Sequence, residues 1–180
     1  MARHYHNLMQ IIVPTTAQLP EMQSLMRTTI IQTYGHQYLA KDLDYYLDTA
    51  FSVDQLTAEL TDPRVFWRLV LDDDGTALAY VKCQPADLPH PDLRPDRDGQ
   101  LERIYVLASH QGRGLGHQLL DLAIDHLGER YGGAPQWVGA YSENVRAHAL
   151  YRSYGFEKVG EYQFEVGDKR ELDFIFRRMP

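Results

Sequence analysis

The chain has 180 residues, of which 44% are hydrophobic and 24% charged, the balance of an ordinary soluble protein built as one domain around one core. Its formal net charge of −7 argues against a nucleic-acid partner, which requires clustered Lys and Arg. No apolar run reaches the ~20 residues of a membrane span, and the one cysteine, Cys83, excludes an internal disulfide and fits a reducing cytoplasm.

The stretch from Met1 to Gln10 carries His4, His6 and Asn7 but lacks the apolar core and basic flank of a targeting segment. Ile11, Ile12 and Val13 form a short apolar strand that stops at Pro14. Thr16 and the carboxylate of Glu21 open a helix predicted to run to Tyr34. A second helix is expected over Lys41 to Phe51, with Leu43, Tyr46, Leu47 and Ala50 on one face. Ser52 caps a third, Val53 to Leu60, which Pro63 ends. From Val65 the period changes to that of strands. Val65 to Leu71 and Ala77 to Cys83 flank a turn, Asp72-Asp73-Asp74-Gly75. Residues 85 to 99 hold four prolines and four aspartates and read as a loop.

Leu101 to Leu107 is the next strand. Gly112 to Tyr131 reads as a long helix with Leu115, Leu119, Leu122, Ala123 and Leu127 along one side. Gln136 to Tyr141 is a strand, Asn144 caps a helix ending at Gly155, and strands over Val159 to Val166 and Leu172 to Arg178 close the chain. The order predicts a mixed α/β (α+β) domain around one sheet.

Chemistry concentrates between the strand at 101 and the helix after 112. Gln111-Gly112-Arg113-Gly114-Leu115-Gly116 places three glycines at alternate positions. Glycine lets the backbone turn tightly and brings its N–H groups close to an anion. The first N–H groups of a helix lack internal partners and sit at the positive end of its dipole. A pyrophosphate meets that demand. The dinucleotide fingerprint needs glycine at a sixth position, but counting from Gly112 gives His117 and from Gly114 gives Leu119. The Gly-Lys-Ser/Thr of a nucleotide-triphosphate loop is also absent. Gln-x-x-Gly-x-Gly from Gln111 remains.

That motif, following a strand, resembles the acetyl-CoA signature of the GNAT N-acetyltransferases. The resemblance continues in Asn144, Ala147, Leu150-Tyr151 and Tyr154-Gly155-Phe156. It is strong over 101 to 157 and extends more loosely over 65 to 178. The run Leu101 to Val106 and the strand Phe66-Trp67-Arg68 are similar to the PaiA-like polyamine acetyltransferases. The resemblance implies a single, mostly antiparallel, splayed sheet, with the strand at 101 to 107 parting from that at 136 to 141. It implies acetyl-CoA as cosubstrate, its pantetheine arm in the gap against Ile104, Tyr105 and Val106. Gln111, Gly112, Arg113, Gly114, Leu115 and Gly116 would cradle the pyrophosphate, with Asn144 beside them. Residues 1 to 64 would contribute to the acceptor site.

Amide formation requires a base to deprotonate an alkylammonium, pKa near ~10.4, and favours an acid for the departing thiolate, pKa around ~8.5. Tyr151 matches the family's acid. Equally, Ala147, Leu150, Tyr151 and Tyr154 fall at helical spacing and read as a buried stripe. Glu102 is the candidate base, placed by alternation on the side of Ile104 and Val106. Its other reading is a strand-end glutamate paired with Arg103 or Lys82. His110 stands beside the glycine loop as a phosphate contact or a solvated residue, and Cys83 reads as a small core hydrophobe. No metal-ligand spacing of histidines occurs.

The expected reaction is acetyl transfer to a primary amine of a small cationic, polyamine-like acceptor by direct attack. Asp42, Asp44, Asp48, Asp54 and Glu59 of the first helices are the expected acidic route. A protein or peptide N-acetyltransferase and a CoA-binding regulatory domain without turnover are the rival readings. A homodimer is carried as an expectation of assembly.

Overall fold

A computed structural model describes residues 9–167 and 169–180; the N-terminal reading around His4, His6 and Asn7 lies outside them. In chain order the elements are β1 (Gln10–Ile12), α1 (Leu19–Tyr34), α2 (Ala40–Ala50), α3 (Val53–Thr61), β2 (Phe66–Leu71), β3 (Ala77–Pro85), β4 (Gly99–Val106), α4 (Leu115–Tyr131), β5 (Gln136–Tyr141), α5 (Val145–Ser153), β6 (Glu157–Val166) and β7 (Lys169–Arg178). All seven strands join one sheet in the order β1-β2-β3-β4-β5-β7-β6. Only β4 and β5 pair in parallel; every other neighbouring pair is antiparallel.

Helices cover both faces. On one, Leu115, Leu119, Leu120, Ala123 and Leu127 of α4 pack on Val81, Leu101, Val138 and Phe176. On the other, Met22 and Met26 of α1, Leu47 of α2 and Leu56 of α3 pack on Trp67, Leu69 and Tyr80. Cys83 lies in the α4-side core, where burial pushes its thiol up, as expected of a core residue. Leu122, read as part of the inner stripe, is only half-buried, and Leu120 takes its place.

Local chemistry corrects several boundaries. Thr15, not Thr16, opens the first helical segment: its hydroxyl accepts from Ala17 while the Gln18 side chain returns to the Thr15 N–H, a capping box on a short turn that precedes α1. Ser52 caps α3 by accepting from the Gln55 N–H at 3.2 Å, as read. The 72–75 turn is held by Asp72, whose Oδ1 accepts from the N–H groups of Asp74 and Thr76. Helix α4 starts at Leu115 rather than Gly112 because Gly112 and Gly114 hold φ of +78° and +84°, which a helix cannot contain. Strands β6 and β7 each begin ahead of the apolar run that marked them, since Glu157 already pairs with Arg177 and the hairpin pairs Val166 with Lys169.

The parallel pairing of β4 with β5 is one of the two shortest in the sheet. Strands β4 and β5 share three register pairs, Gly99 with Gln136, Gln100 with Trp137 and Leu101 with Val138, and then part. Above the junction β4 bulges. Lys82 of β3 faces Arg103 while the next residue, Cys83, faces Leu101, so Glu102 is the extra residue, and such a bulge bends and twists its strand. Below it, buried Asp98 accepts from the Trp137 indole at 3.0 Å and from the Arg94 guanidinium at 2.7 Å, tying the 86–98 loop to the root of β5. Gly99 has no side chain for a packing reason: an added Cβ would lie 2.4 Å from the Tyr131 ring and 2.6 Å from Leu127. Gly99→Ala should therefore push α4 off the junction and lower stability by about 1–3 kcal/mol, the usual cost of overpacking, in urea unfolding. A change below the error of that measurement would show that α4 yields freely.

Candidate active site

The parted strands open a groove of about 810 Å³. Its walls include Ile104, Tyr105 and Val106 of β4, Gln111, Gly112, Gly114, Leu115 and Gly116 of the glycine loop, and Asn144 and Tyr151 of the α5 segment. These ten predicted residues, with Glu102, are thus brought together. Arg113 is not on the wall; its guanidinium donates to the Ser109 carbonyl at 3.4 Å. Gly114 is the N-cap of α4 and no side chain caps the helix. The first intrahelical bond to it runs from Gln118, which leaves the N–H groups of Leu115, Gly116 and His117 without helical carbonyls.

Gln111 braces the loop rather than facing into it. Its amide nitrogen donates to the Val106 carbonyl at 3.0 Å and its amide oxygen accepts from Arg146. Arg146, which the sequence reading missed, brings a cation from the start of α5 to the rim. No periodicity marks it; only its place two residues after the cap Asn144 offers a signal. Asn144 caps α5 by accepting from the Ala147 N–H at 3.2 Å. His110 lines the groove, with Nδ1 2.9 Å from the Ser109 hydroxyl.

Tyr151 is a packed core residue that also borders the groove. The ring is buried between Phe156 and Phe176, each 6.0 Å away between centroids. Its carbonyl accepts from the Phe156 N–H and that of Arg152 from Gly155, the paired bonds of a left-handed helix end, with Gly155 at φ +83°. That end fixes the ring against the groove wall, and burial pushes the phenol up, so it keeps its proton at neutral pH.

Glu102 lines both the groove and a second, inner cavity of about 340 Å³. The bulge breaks the alternation that placed Glu102 with Ile104: Leu101 and Ile104, three apart, both face the α4-side core. Gln100 donates to Glu102 Oε2 at 2.6 Å. Its alternative pairing is weak, since Arg103 lies at 3.9 Å and Lys82 is bound instead to Glu59 at 2.9 Å. Tyr34, Arg103, Tyr105, Gly139 and Ala140 also border both spaces, so the two spaces meet at the bulge.

The 85–99 loop, through Asp87, Leu88 and Pro89, and α2, through Leu43 and Tyr46, wall the inner cavity, as expected of a small pocket. Its carboxylates are Asp87, Glu102, Glu171 and Asp173. None of Asp42, Asp44, Asp48, Asp54 or Glu59 lines it. Helices α2 and α3 turn their apolar faces inward, so their acids point away: Asp48 pairs with Arg27 at 2.6 Å. Glu59 is half-buried, and it is spent on Lys82. The roof is clasped where Lys169 donates to the Gln37 carbonyl at 2.8 Å and Tyr38 donates to Glu171.

Asp173 accepts from the Tyr162 hydroxyl at 3.3 Å. Burial, and then the nearby Glu171 charge, push its carboxyl up to about 6. Charged or titratable groups share the cavity with it from every wall: Asp87 from the loop, Glu102, Arg103 and Tyr105 from β4, Tyr141 from β5, Tyr162 from β6, and Tyr34, Tyr38 and Tyr46 from the helical side.

A parted strand pair leading to an uncapped, glycine-opened helix defines an acyl-CoA-dependent transferase. The chain belongs to the Acetyltransferase (GNAT) family, which residues 25–156 match; it is an N-acetyltransferase with acetyl-CoA as cosubstrate. It is 30% identical over 169 residues to an uncharacterised N-acetyltransferase of Lactobacillus delbrueckii subsp. lactis, covering 94% of this chain and 96% of that one. A Bacillus subtilis spermine/spermidine N(1)-acetyltransferase is 35% identical over 69 residues, 38% of this chain and 45% of its own. In fold the chain is similar to a PaiA N-acetyltransferase of Thermoplasma acidophilum in complex with coenzyme A, with a TM-score of 0.76, 15% identity, and 96% and 99% of the two chains covered. Among the described residues no helix is long and apolar enough to cross a membrane.

The residues present fit the coenzyme. A Cβ added at Gly112 or Gly114 meets no atom within 4 Å, so the space above that backbone is open groove and not packed core.

Asp173 also sets a pH signature. Its folded carboxyl titrates above the ordinary 3.8, so its contribution to stability is present at low pH and is lost as pH rises through about 6. Asp173→Asn, which mimics the protonated form, should melt higher than the parent at pH 8, with the gap closing below about pH 4. Calorimetry across that range checks it; a variant that melts lower at pH 8 would contradict the burial cost.

Proposed function

We propose that the chain transfers acetyl from acetyl-CoA to a primary amine of a small, positively charged, polyamine-like acceptor by direct attack in a ternary complex. The observation that carries this reading is the inner cavity, where four carboxylates face one guanidinium, that of Arg103, and which opens on the coenzyme groove at Glu102. An excess of negative charge around a partly enclosed cavity favours a cation. The acceptor named for the Bacillus subtilis relative, spermine or spermidine, supports the same class. A peptide acceptor would need a long open channel, whereas the Lys169–Gln37 and Tyr38–Glu171 clasps close this one. The lone, buried Cys83 supports work in a reducing cytoplasm.

When bound, acetyl-CoA supplies a thioester carbon already activated for attack. Glu102, at the meeting of the two spaces, accepts the proton of the acceptor's ammonium and frees its lone pair. Tyr151, kept protonated by burial, delivers a proton to the departing sulfur. The β4 edge at Ile104 to Val106 binds the pantetheine arm as an added strand would, and the glycine loop with the first turn of α4 holds the pyrophosphate.

Acetyl-CoA-dependent thiol release over spermidine, an amino sugar, a neutral aromatic amine and a peptide tests the reading. Spermidine should lead, and its advantage should shrink as salt screens the cavity's charge. Equal, salt-insensitive turnover of the aromatic amine would refute a cationic acceptor. In the same assay Tyr151→Phe should lower kcat by roughly 10²–10⁴ with little change in the KM for acetyl-CoA. Near-normal kcat in that variant would return Tyr151 to a packing role alone.

A further inference from the structure

The four carboxylates of the inner cavity are not equivalent. Glu171 is paired with Lys169 at 2.8 Å. Glu102 faces Arg103 and accepts from Gln100. Asp87 accepts from the Gln84 amide at 3.0 Å. Asp173 takes one tyrosine hydroxyl, that of Tyr162, and among the described residues it has no cationic partner. A half-buried carboxylate that no cation neutralises carries a desolvation cost, and its surroundings describe what would relieve it.

In the sheet, Asp173 lies in register between Tyr141 of β5 and Tyr162 of β6. Directly opposed residues of antiparallel strands share a face, and all three border the cavity. A carboxylate flanked by two aromatic side chains is a receptor for an ammonium group, which gains both the ion pair and contact with the aromatic faces. Asp173 borders only the inner cavity, whereas Glu102 borders the coenzyme groove as well. The site therefore holds two acidic positions at different depths, one where the reaction occurs and one beyond it.

We propose that Asp173 is a specificity-determining residue that anchors a second, non-reacting ammonium of the acceptor while Glu102 receives the amine to be acetylated. This rests on the reading of the inner cavity as the acceptor site. The acceptor is then a diamine or longer polyamine, and its chain must span the distance from Asp173 to the bulge. Monoamines enter without the anchor.

Steady-state kinetics of the full chain with saturating acetyl-CoA test this, using α,ω-diaminoalkanes of graded length, spermidine and n-butylamine. The parent enzyme should show a chain-length optimum and a preference for the best diamine over n-butylamine. In Asp173→Asn the KM for that diamine should rise roughly 10- to 100-fold, the worth of one charge-assisted hydrogen bond. Its kcat should change far less, and the optimum should flatten. Asp173→Glu, which keeps the charge, should retain part of the selectivity and shift the optimum towards a shorter chain. A structural role alone would move n-butylamine and the diamines together. An unchanged diamine-to-monoamine ratio in Asp173→Asn overturns the anchor while leaving the cationic acceptor intact. No turnover of any amine by the parent overturns both.

Discussion

Strands β4 and β5 are held together by three register pairs, Gly99 to Leu101 against Gln136 to Val138, and the chemistry depends on their pairing no further. Backbone N–H and C=O groups are obligatory hydrogen-bonding groups. Where two neighbouring strands of one sheet diverge, the edges they turn towards each other must find partners in solvent or in a ligand. Here those edges belong to Ile104–Val106 on one side and to Gly139–Ala140 on the other, and both line the groove. One short turn, Ala108–His110, separates β4 from the glycine loop, so the strand that offers the free edge also delivers the chain to the open N-terminus of α4. The gap and the cradle are consecutive consequences of one strand.

The bulge at Glu102 lies just above the last pair and explains why two cavities meet at one carboxylate. With an extra residue in β4, Leu101 stays in the α4-side core while Glu102 turns towards the opening. A buried ion cluster stands behind it, in which Lys82 binds Glu59 at 2.9 Å and Arg103 lies 3.6 Å from the same carboxylate. Breaking such a cluster would leave a buried charge uncompensated, so it holds this part of β4 in place. The inner cavity carries the opposite bias: Asp173 is retained where burial disfavours its charge. Stability is surrendered at the site where a cation would restore it.

Much of this was legible in the sequence, and the failures have physical causes. Gln111, Gly114 and Gly116, with the distal Asn144 and Tyr151, marked the walls of the groove, because backbone chemistry there demands particular residues at particular spacings. The helix start was misplaced because apolar periodicity does not distinguish a glycine at φ +84° from one in a first helical turn. The bulge left only a faint trace, Leu101 and Ile104 facing one core at a spacing of three where a regular strand requires an even number. The acceptor side was least legible. Glu171 and Asp173 alternate with Leu172 and Phe174, the pattern of a strand with one solvated face; here that face is the wall of a cavity. Deciding between the two requires knowing that α1, α2 and the 85–99 loop cover it. The acids of α2 and α3 are more numerous, but none of them borders the cavity.

Amide hydrogen exchange of the whole chain, with and without acetyl-CoA, tests the role of the parted strands most directly. Gly99 to Leu101 should be protected in both states, because their pairing with β5 is already made. Bound coenzyme should slow exchange at 104–106, on the side that faces the gap, and at the first N–H groups of α4, residues 115–117. Protection that appears elsewhere while these amides exchange as before would contradict the strand gap and the glycine-opened helix as the coenzyme site.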